Sequence, residues 1–258
     1  MIWEERKRMY NAEYVKRQCL DVCPSNESIL NSWSRLCEEM IELFAPKRVF
    51  ECGCATGWLL NEFSKRGIEV YGADVNEEAI KLGRQYYPEI ADNLLHLDLA
   101  VDSIPFEAQF FDLVIAREFI EHIDDEHLFF TIGEMTRIAS NWIFLETPTI
   151  TGNPPDVDVQ TWRDWMEKQT DLPFDSMVEL IGKHPYLVPE YTHPDNREHP
   201  NTHCRQFWIK LFQLLGFENV LSAEPRTFGI GWFGRQEHYR PIRYDGVCGL
   251  CIMDFKRK

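Results

Sequence analysis

Short apolar runs alternate with amphipathic stretches through the first half of the chain. Ile29, Trp33, Leu36, Met40 and Phe44 recur at spacings of three and four, which predicts an amphipathic helix. Ser25, following Pro24, is placed to cap it, and Ala45-Pro46 to end it. Residues 48–52 then read as a first strand, and 58–66 as a helix closed by Gly67. A second strand is expected at 68–73, followed by a helix capped by Asn76 and running to about Tyr86. Strands are expected at 94–97, 111–116 and 142–145, with a helix at 126–138. Such alternation implies a parallel sheet with helices on both faces.

The pattern breaks after residue 148. The segment 149–203 is rich in Pro, His and Asp and carries Trp162, Trp165, Phe174, Tyr186 and Tyr191. A long irregular insertion in a compact domain is usually a functional lid, and five aromatics favour an ordered one. A helix is expected again at 205–215, a strand at 217–221 and a last strand at 247–255. The expectation is a single α/β domain over 1–258: a helical region at 1–46, a core at 47–148, a lid at 149–203 and a return to the core at 204–258.

Composition narrows the class. The net charge is −15, from 27 Lys and Arg against 42 Asp and Glu. That surface repels phosphate backbones and anionic membranes, which argues against nucleic acid and for a small or neutral partner. No apolar stretch approaches the roughly 18 residues of a membrane span, and residues 1–10 lack a signal-like apolar core. A cytoplasmic location is the default expectation; no motif specifies an oligomeric state. Eight cysteines include Cys248-x-x-Cys251, but that spacing falls within an expected strand and points its thiols to opposite faces. Reduced, packed thiols are expected rather than a zinc or redox pair.

The chemistry concentrates where the first strand turns into a helix, at Glu51-Cys52-Gly53-Cys54-Ala55-Thr56-Gly57. Glycines there let the backbone approach a ligand, and the helix start offers free N–H groups. Asp74 closes the second strand, where a carboxylate can accept two hydrogen bonds from a ribose diol. Asp98 follows the third strand and suits an adenine amino group. In open α/β sheets, ligands sit at these carboxyl ends.

This set resembles the class I S-adenosylmethionine (SAM)-dependent methyltransferases. Their first motif, acid-x-G-x-G-x-G, matches residues 51–57 with Ala55 in place of the middle glycine. Their later acids match Asp74 and Asp98, and their fourth-strand motif matches Phe111-Asp112-Leu113-Val114-Ile115. The resemblance implies a Rossmann-like, seven-stranded, mostly parallel sheet with an antiparallel last strand. It also implies SAM as cofactor, held by Glu51, Gly53, Cys54, Gly57, Asp74, Val75, Asp98, Leu99 and Arg117. A dinucleotide-binding dehydrogenase would need a third glycine where Trp58 stands.

Two histidine-bearing segments are candidates for the acceptor side. His199, Asn201, Phe207 and Trp208 match a His-x-Asn and aromatic-Trp pattern of bacterial class I methyltransferases associated with glycan or secondary-metabolite pathways. That resemblance makes His199 the first candidate base and His203 the second; the alternative is that His199 only fixes its loop. In a helix, Glu118, Glu121 and His122 would share a face and suit a divalent metal. Similar Glu-x-x-Glu-His segments occur in small-RNA 2′-O-methyltransferases and ubiquinone-pathway O-methyltransferases, and also in class I enzymes without metal; the metal-free reading is preferred. Aromatics and arginines at Trp232, Phe233, Arg235, Tyr239 and Arg243 are expected to line an acceptor pocket, with His238 among them. The expected activity is methyl transfer to oxygen of a small molecule or glycan. The alternatives are a metal-assisted RNA 2′-O-methyltransferase and a non-catalytic SAM-binding regulatory protein.

Overall fold

The computed structural model describes residue 4 and residues 7–18, 27–150, 205–219 and 247–258. Six α-helices are described: α1 (Ala12–Gln18), α2 (Glu27–Phe44), α3 (Trp58–Ser64), α4 (Glu77–Tyr86), α5 (Asp125–Ile138) and α6 (Arg205–Leu214). The strands are β1 (Arg48–Cys52), β2 (Glu69–Asp74), β3 (Leu94–His96), β4 (Phe111–Arg117), β5 (Ala139–Ile150), β6 (Phe217–Asn219) and β7 (Val247–Arg257). They form one seven-stranded sheet in the order β3-β2-β1-β4-β5-β7-β6. β1 to β5 pair in parallel, and β7 runs antiparallel between β5 and β6. The expected α/β architecture, including the reversed last strand, is the one observed.

The chain builds outward from β1 to β2 and β3, then returns to place β4 on the other side of β1. The order reverses between β1 and β4, and in open α/β sheets ligands bind beyond the strand carboxyl ends at such a switch point.

The central strands are apolar because both faces are covered. Leu113, Val114, Ile115 and Ala116 of β4 are all fully buried. Their side chains alternate between two cores, as the pleat requires. Val114 and Ala116 join Phe50, Leu128, Ile132, Met135, Trp208 and Phe212. Leu113 and Ile115 join Leu36, Met40, Phe44, Leu59, Leu60 and Phe63. Trp33, Leu36, Met40 and Phe44 of α2 therefore face the sheet, as their spacing predicts; the Ile29 side chain is outside the described set. The Ser25 cap lies outside the described residues. Asn76 caps α4 as expected, accepting from the Glu78 and Ala79 N–H groups at 3.1 Å each.

The largest difference from expectation is β5. It is read from sequence as four residues, 142–145, and runs from Ala139 directly after α5 to Ile150. Its polar second half, including Glu146 and Thr147, is ordered by antiparallel pairing with β7 rather than by apolar character. β7 likewise runs to Arg257, whose guanidinium bonds the carbonyls of Ala139 and Thr136 at the end of α5. Cys248 and Cys251 lie on β7; their side chains are outside the described set. The described cysteines Cys37, Cys52 and Cys54 are free and buried. No helix among the described residues is long and apolar enough to cross a membrane.

Candidate functional site

The turn after β1 is built on left-handed backbone. Gly53 has φ 70°, Ala55 φ 48° and Gly57 φ 77°. Ala55 occupies the middle-glycine position of the motif and adopts that conformation at a cost of about 1–2 kcal/mol for an L-residue. Its N–H donates to Asp74 Oδ2 at 2.9 Å, which offsets part of that cost. The N–H groups of Gly53 and Cys54 both donate to the Ala73 carbonyl, at 2.9 and 3.1 Å. Glycine is required at 53 for a second reason. A Cβ there would stand 2.7 Å from the Phe119 ring, so the loop after β4 lies directly on this turn.

Asp74 joins the turn to the next helix. Its Oδ2 takes the Ala55 N–H, and its Oδ1 takes the Asn76 N–H at 2.8 Å. Each oxygen keeps a lone pair for a further donor such as a ribose hydroxyl. Burial pushes this carboxyl up; the two N–H donors and nearby His96 hold it back, leaving a net upward shift. Val75 follows it and accepts from His96 Nε2 at 3.1 Å. Asp98 sits beyond β3. Its Oδ1 accepts from the Ala100 N–H at 3.2 Å, and its Oδ2 pairs with Lys7 Nζ at 2.8 Å. Leu99 is buried, and its carbonyl takes the Thr131 hydroxyl. Glu51, Gly53, Cys54, Gly57, Asp74, Val75, Asp98 and Leu99 thus lie at or beside the carboxyl ends of β1 to β3.

Arg117, expected among the cofactor-binding residues, closes β4. The parallel register sets it opposite Glu146 on β5, and its Nε forms a buried ion pair with that carboxylate. Its guanidinium also lies 4.5 Å over the Trp33 ring of α2. Its charge is thus shared with Glu146 and the Trp33 ring.

Buried acids lie around Arg117. Glu51 is buried, and burial pushes its carboxyl up to about 8 against the pull of Arg117. Glu118 takes a left-handed φ of 48°, donates its N–H to the Glu146 carbonyl at 2.9 Å, and is likewise pushed by burial to about 8. Glu121 is fully buried, accepts from the Thr147 hydroxyl at 3.1 Å, and is raised further by burial and by Glu118. One oxygen each of Glu51, Glu118 and Glu121 is buried without a hydrogen-bond partner among the described residues.

The expected convergence of Glu118, Glu121 and His122 depends on a helix that this segment does not form. It makes a single 3-10 turn at Ile120–His122. The two glutamates remain electrostatic neighbours, while the His122 ring meets the edge of Tyr10 at 5.7 Å between centroids. Among the described residues, the one group of three ligating side chains within 4.8 Å is Asp124, Glu126 and His127, at the start of α5. His199 and His203 lie outside the described residues, as do His184, His193, His238 and the aromatic loop at 232–243. Sequence reading did not single out Glu146, Thr147 or Lys7, and it placed Trp33 only on the apolar face of a helix. For Glu146 the available signal was an acid closing an apolar strand, the same one that marks Asp74. Lys7 had no local signal, because its role depends on where the chain folds back.

The raised acids make stability depend on pH. Glu51 carries its proton to about pH 8 when folded, against an ordinary 4.5. The folded chain then binds more protons than the unfolded chain between these values, and stability falls as pH rises through them. Glu51→Gln is expected to flatten the loss of Tm between about pH 5 and 8 and to raise Tm at the alkaline end. Thermal unfolding at stepped pH measures it.

Residues 26–222 match the model of the methyltransferase-domain family. The ubiquinone biosynthesis O-methyltransferase of Nitrosomonas europaea is 26% identical over 113 residues, 43% of this chain and 47% of that protein. That of Hahella chejuensis is 29% identical over 109 residues, 42% of this chain and 45% of that protein. The chain therefore spans less than half the length of these curated relatives. Among solved structures, the SAH-bound magnesium protoporphyrin IX methyltransferase of Synechocystis PCC 6803 superposes with a TM-score of 0.58 at 14% identity, covering 98% of each chain. A SAM-dependent methyltransferase of Archaeoglobus fulgidus does so at 0.52 and 17%, over 87% of this chain and 92% of its own. With the glycine turn, the acid closing β2, the acid beyond β3 and the reversed β7 already in place, the family match is decisive: the chain belongs to the class I SAM-dependent methyltransferases.

Proposed function

We propose that this methyltransferase acts on an oxygen of a small-molecule or glycan acceptor. The observation that carries the cofactor half is Asp74, which braces both the glycine turn and the start of α4 while keeping acceptor capacity on both oxygens. In this reading Asp74 takes the ribose hydroxyls and Asp98 the adenine amine. Gly53, Cys54 and Gly57 let the cofactor close on the backbone. Glu51, Val75, Leu99 and Arg117 shape and position that surface.

The acceptor half draws on other support. The two curated relatives are by name O-methyltransferases. The chain's charge of −15 disfavours a nucleic-acid acceptor, and a cytoplasmic site of action is proposed with it. SAM brings an already activated methyl group. The acceptor oxygen attacks the methyl carbon, the C–S bond breaks with its electrons on sulfur, and the hydroxyl proton passes to a base. His199 is the first candidate for that base and His203 the second; a positioned base contributes about 10²–10⁴-fold.

A second reading uses a divalent cation. The buried oxygens of Glu118 and Glu121 that lack partners favour it, since orphaned carboxylates suit a positive ligand.

Calorimetry is expected to give heat with SAM and none with NAD, and Asp74→Ala to abolish the SAM signal; heat with NAD alone would overturn the assignment. His199→Ala is expected to lower kcat about 100-fold on an acceptor drawn from a metabolite panel, with SAM affinity unchanged. An unchanged kcat would leave His199 only its loop-fixing role. In the metal-free reading EDTA leaves turnover intact; loss of turnover restored by Mg²⁺ would establish the second reading.

A further inference from the structure

The N-terminal segment touches the loops that surround the proposed adenosyl site. Lys7 Nζ pairs with Asp98 Oδ2 at 2.8 Å, beyond β3, and with Glu4 Oε1 at 2.7 Å. Tyr10 stands edge-on to His122, beyond β4, and to Tyr14. Val15 is 1% exposed and packs with Ala79, Ala55 and Leu82. It therefore rests on the glycine turn and on the start of α4. One short stretch of chain thus bears on the turn after β1, the helix after β2 and the loops after β3 and β4.

We propose that residues 7–18 form a lid over the adenosyl crevice, latched by the Lys7–Asp98 ion pair, and that cofactor exchange requires this latch to part. The proposal rests on the reading of Asp98 as the adenine-binding acid. With the crevice empty, a carboxylate whose side chain is only 11% exposed needs a compensating charge, and the Lys7 ammonium supplies it. Asp98 Oδ1 carries the Ala100 N–H bond and Oδ2 the Lys7 bond, and each oxygen keeps a lone pair for the adenine amine. The latch therefore closes over the empty and the occupied crevice alike and must part for the cofactor to enter or leave. The Tyr10 and Val15 contacts are apolar or aromatic. Lys7–Asp98 is a charged tie between this segment and the crevice, and salt weakens it.

Lys7→Ala, with Lys7→Arg as the conservative control, tests the latch. Two measurements are made on the full chain: amide hydrogen exchange over residues 7–18 without ligand, and stopped-flow binding of S-adenosylhomocysteine. A partly exposed pair of this kind corresponds to about a fivefold effect. Lys7→Ala is expected to speed amide exchange in the segment about fivefold. It is also expected to raise both association and dissociation rates about fivefold, so that Kd changes little. Raised sodium chloride should speed ligand exchange in the wild type and not in Lys7→Ala, and Lys7→Arg should behave as wild type. Unchanged amide exchange in Lys7→Ala, with normal ligand binding, overturns the latch alone. Faster amide exchange with unaltered binding rates overturns the lid. No binding by the wild type overturns the cofactor assignment and the lid with it.

Discussion

The Asp74 carboxylate is the pivot of the site. It closes β2, holds the N–H of a strained Ala55 on one side, and holds the N–H of the α4 cap on the other. Without it, the turn after β1 would have to keep a non-glycine residue in left-handed backbone with no bond in return. The position of the turn also fixes the loop after β4, because Phe119 lies against Gly53 where a Cβ would not fit. Together these contacts tie the ends of β1, β2 and β4 to one another. Family membership is established by the match over most of the chain.

The second organising feature is an excess of buried acid over buried base. Arg117 balances Glu146, but Glu51, Glu118 and Glu121 have no comparable cation among the described residues. Acids in this condition shift upward and weaken the fold as pH rises. A chain tolerates such groups where a ligand completes them, and perturbed acids cluster at functional sites for that reason. The left-handed backbone at Glu118 points the same way, since strain of this kind is concentrated where a side chain must be aimed.

Much of the fold was legible because its signals are local. Apolar runs bounded by turn residues mark β1, β2 and β4 to within a residue or so, and Asn76 marks its helix by the chemistry of its side chain. The glycine turn and the acids Asp74 and Asp98 were legible for the same reason: each is a residue type at a strand end. What escaped depends on partners far away in sequence. The second half of β5 is polar and becomes a strand only because β7 pairs with it. The ion pair of Arg117 was hidden because its partner, Glu146, comes from the neighbouring strand. The Glu118–His122 stretch has helical spacing but forms a single 3-10 turn, with Phe119 against Gly53, a contact that its own sequence does not announce.

The insertion of β7 between β5 and β6 has a consequence for biosynthesis. Until residues 247–257 have left the ribosome, β5 presents its unpaired backbone along an open edge, with Ile143 and Leu145 beside it. The nascent chain must carry that adhesive border through the synthesis of the 96 or so residues between the two strands, roughly 5–20 seconds at usual elongation rates. The step at which this protein is most exposed to self-association, or most in need of a chaperone, is therefore late in translation and lies on the side of the sheet remote from β3.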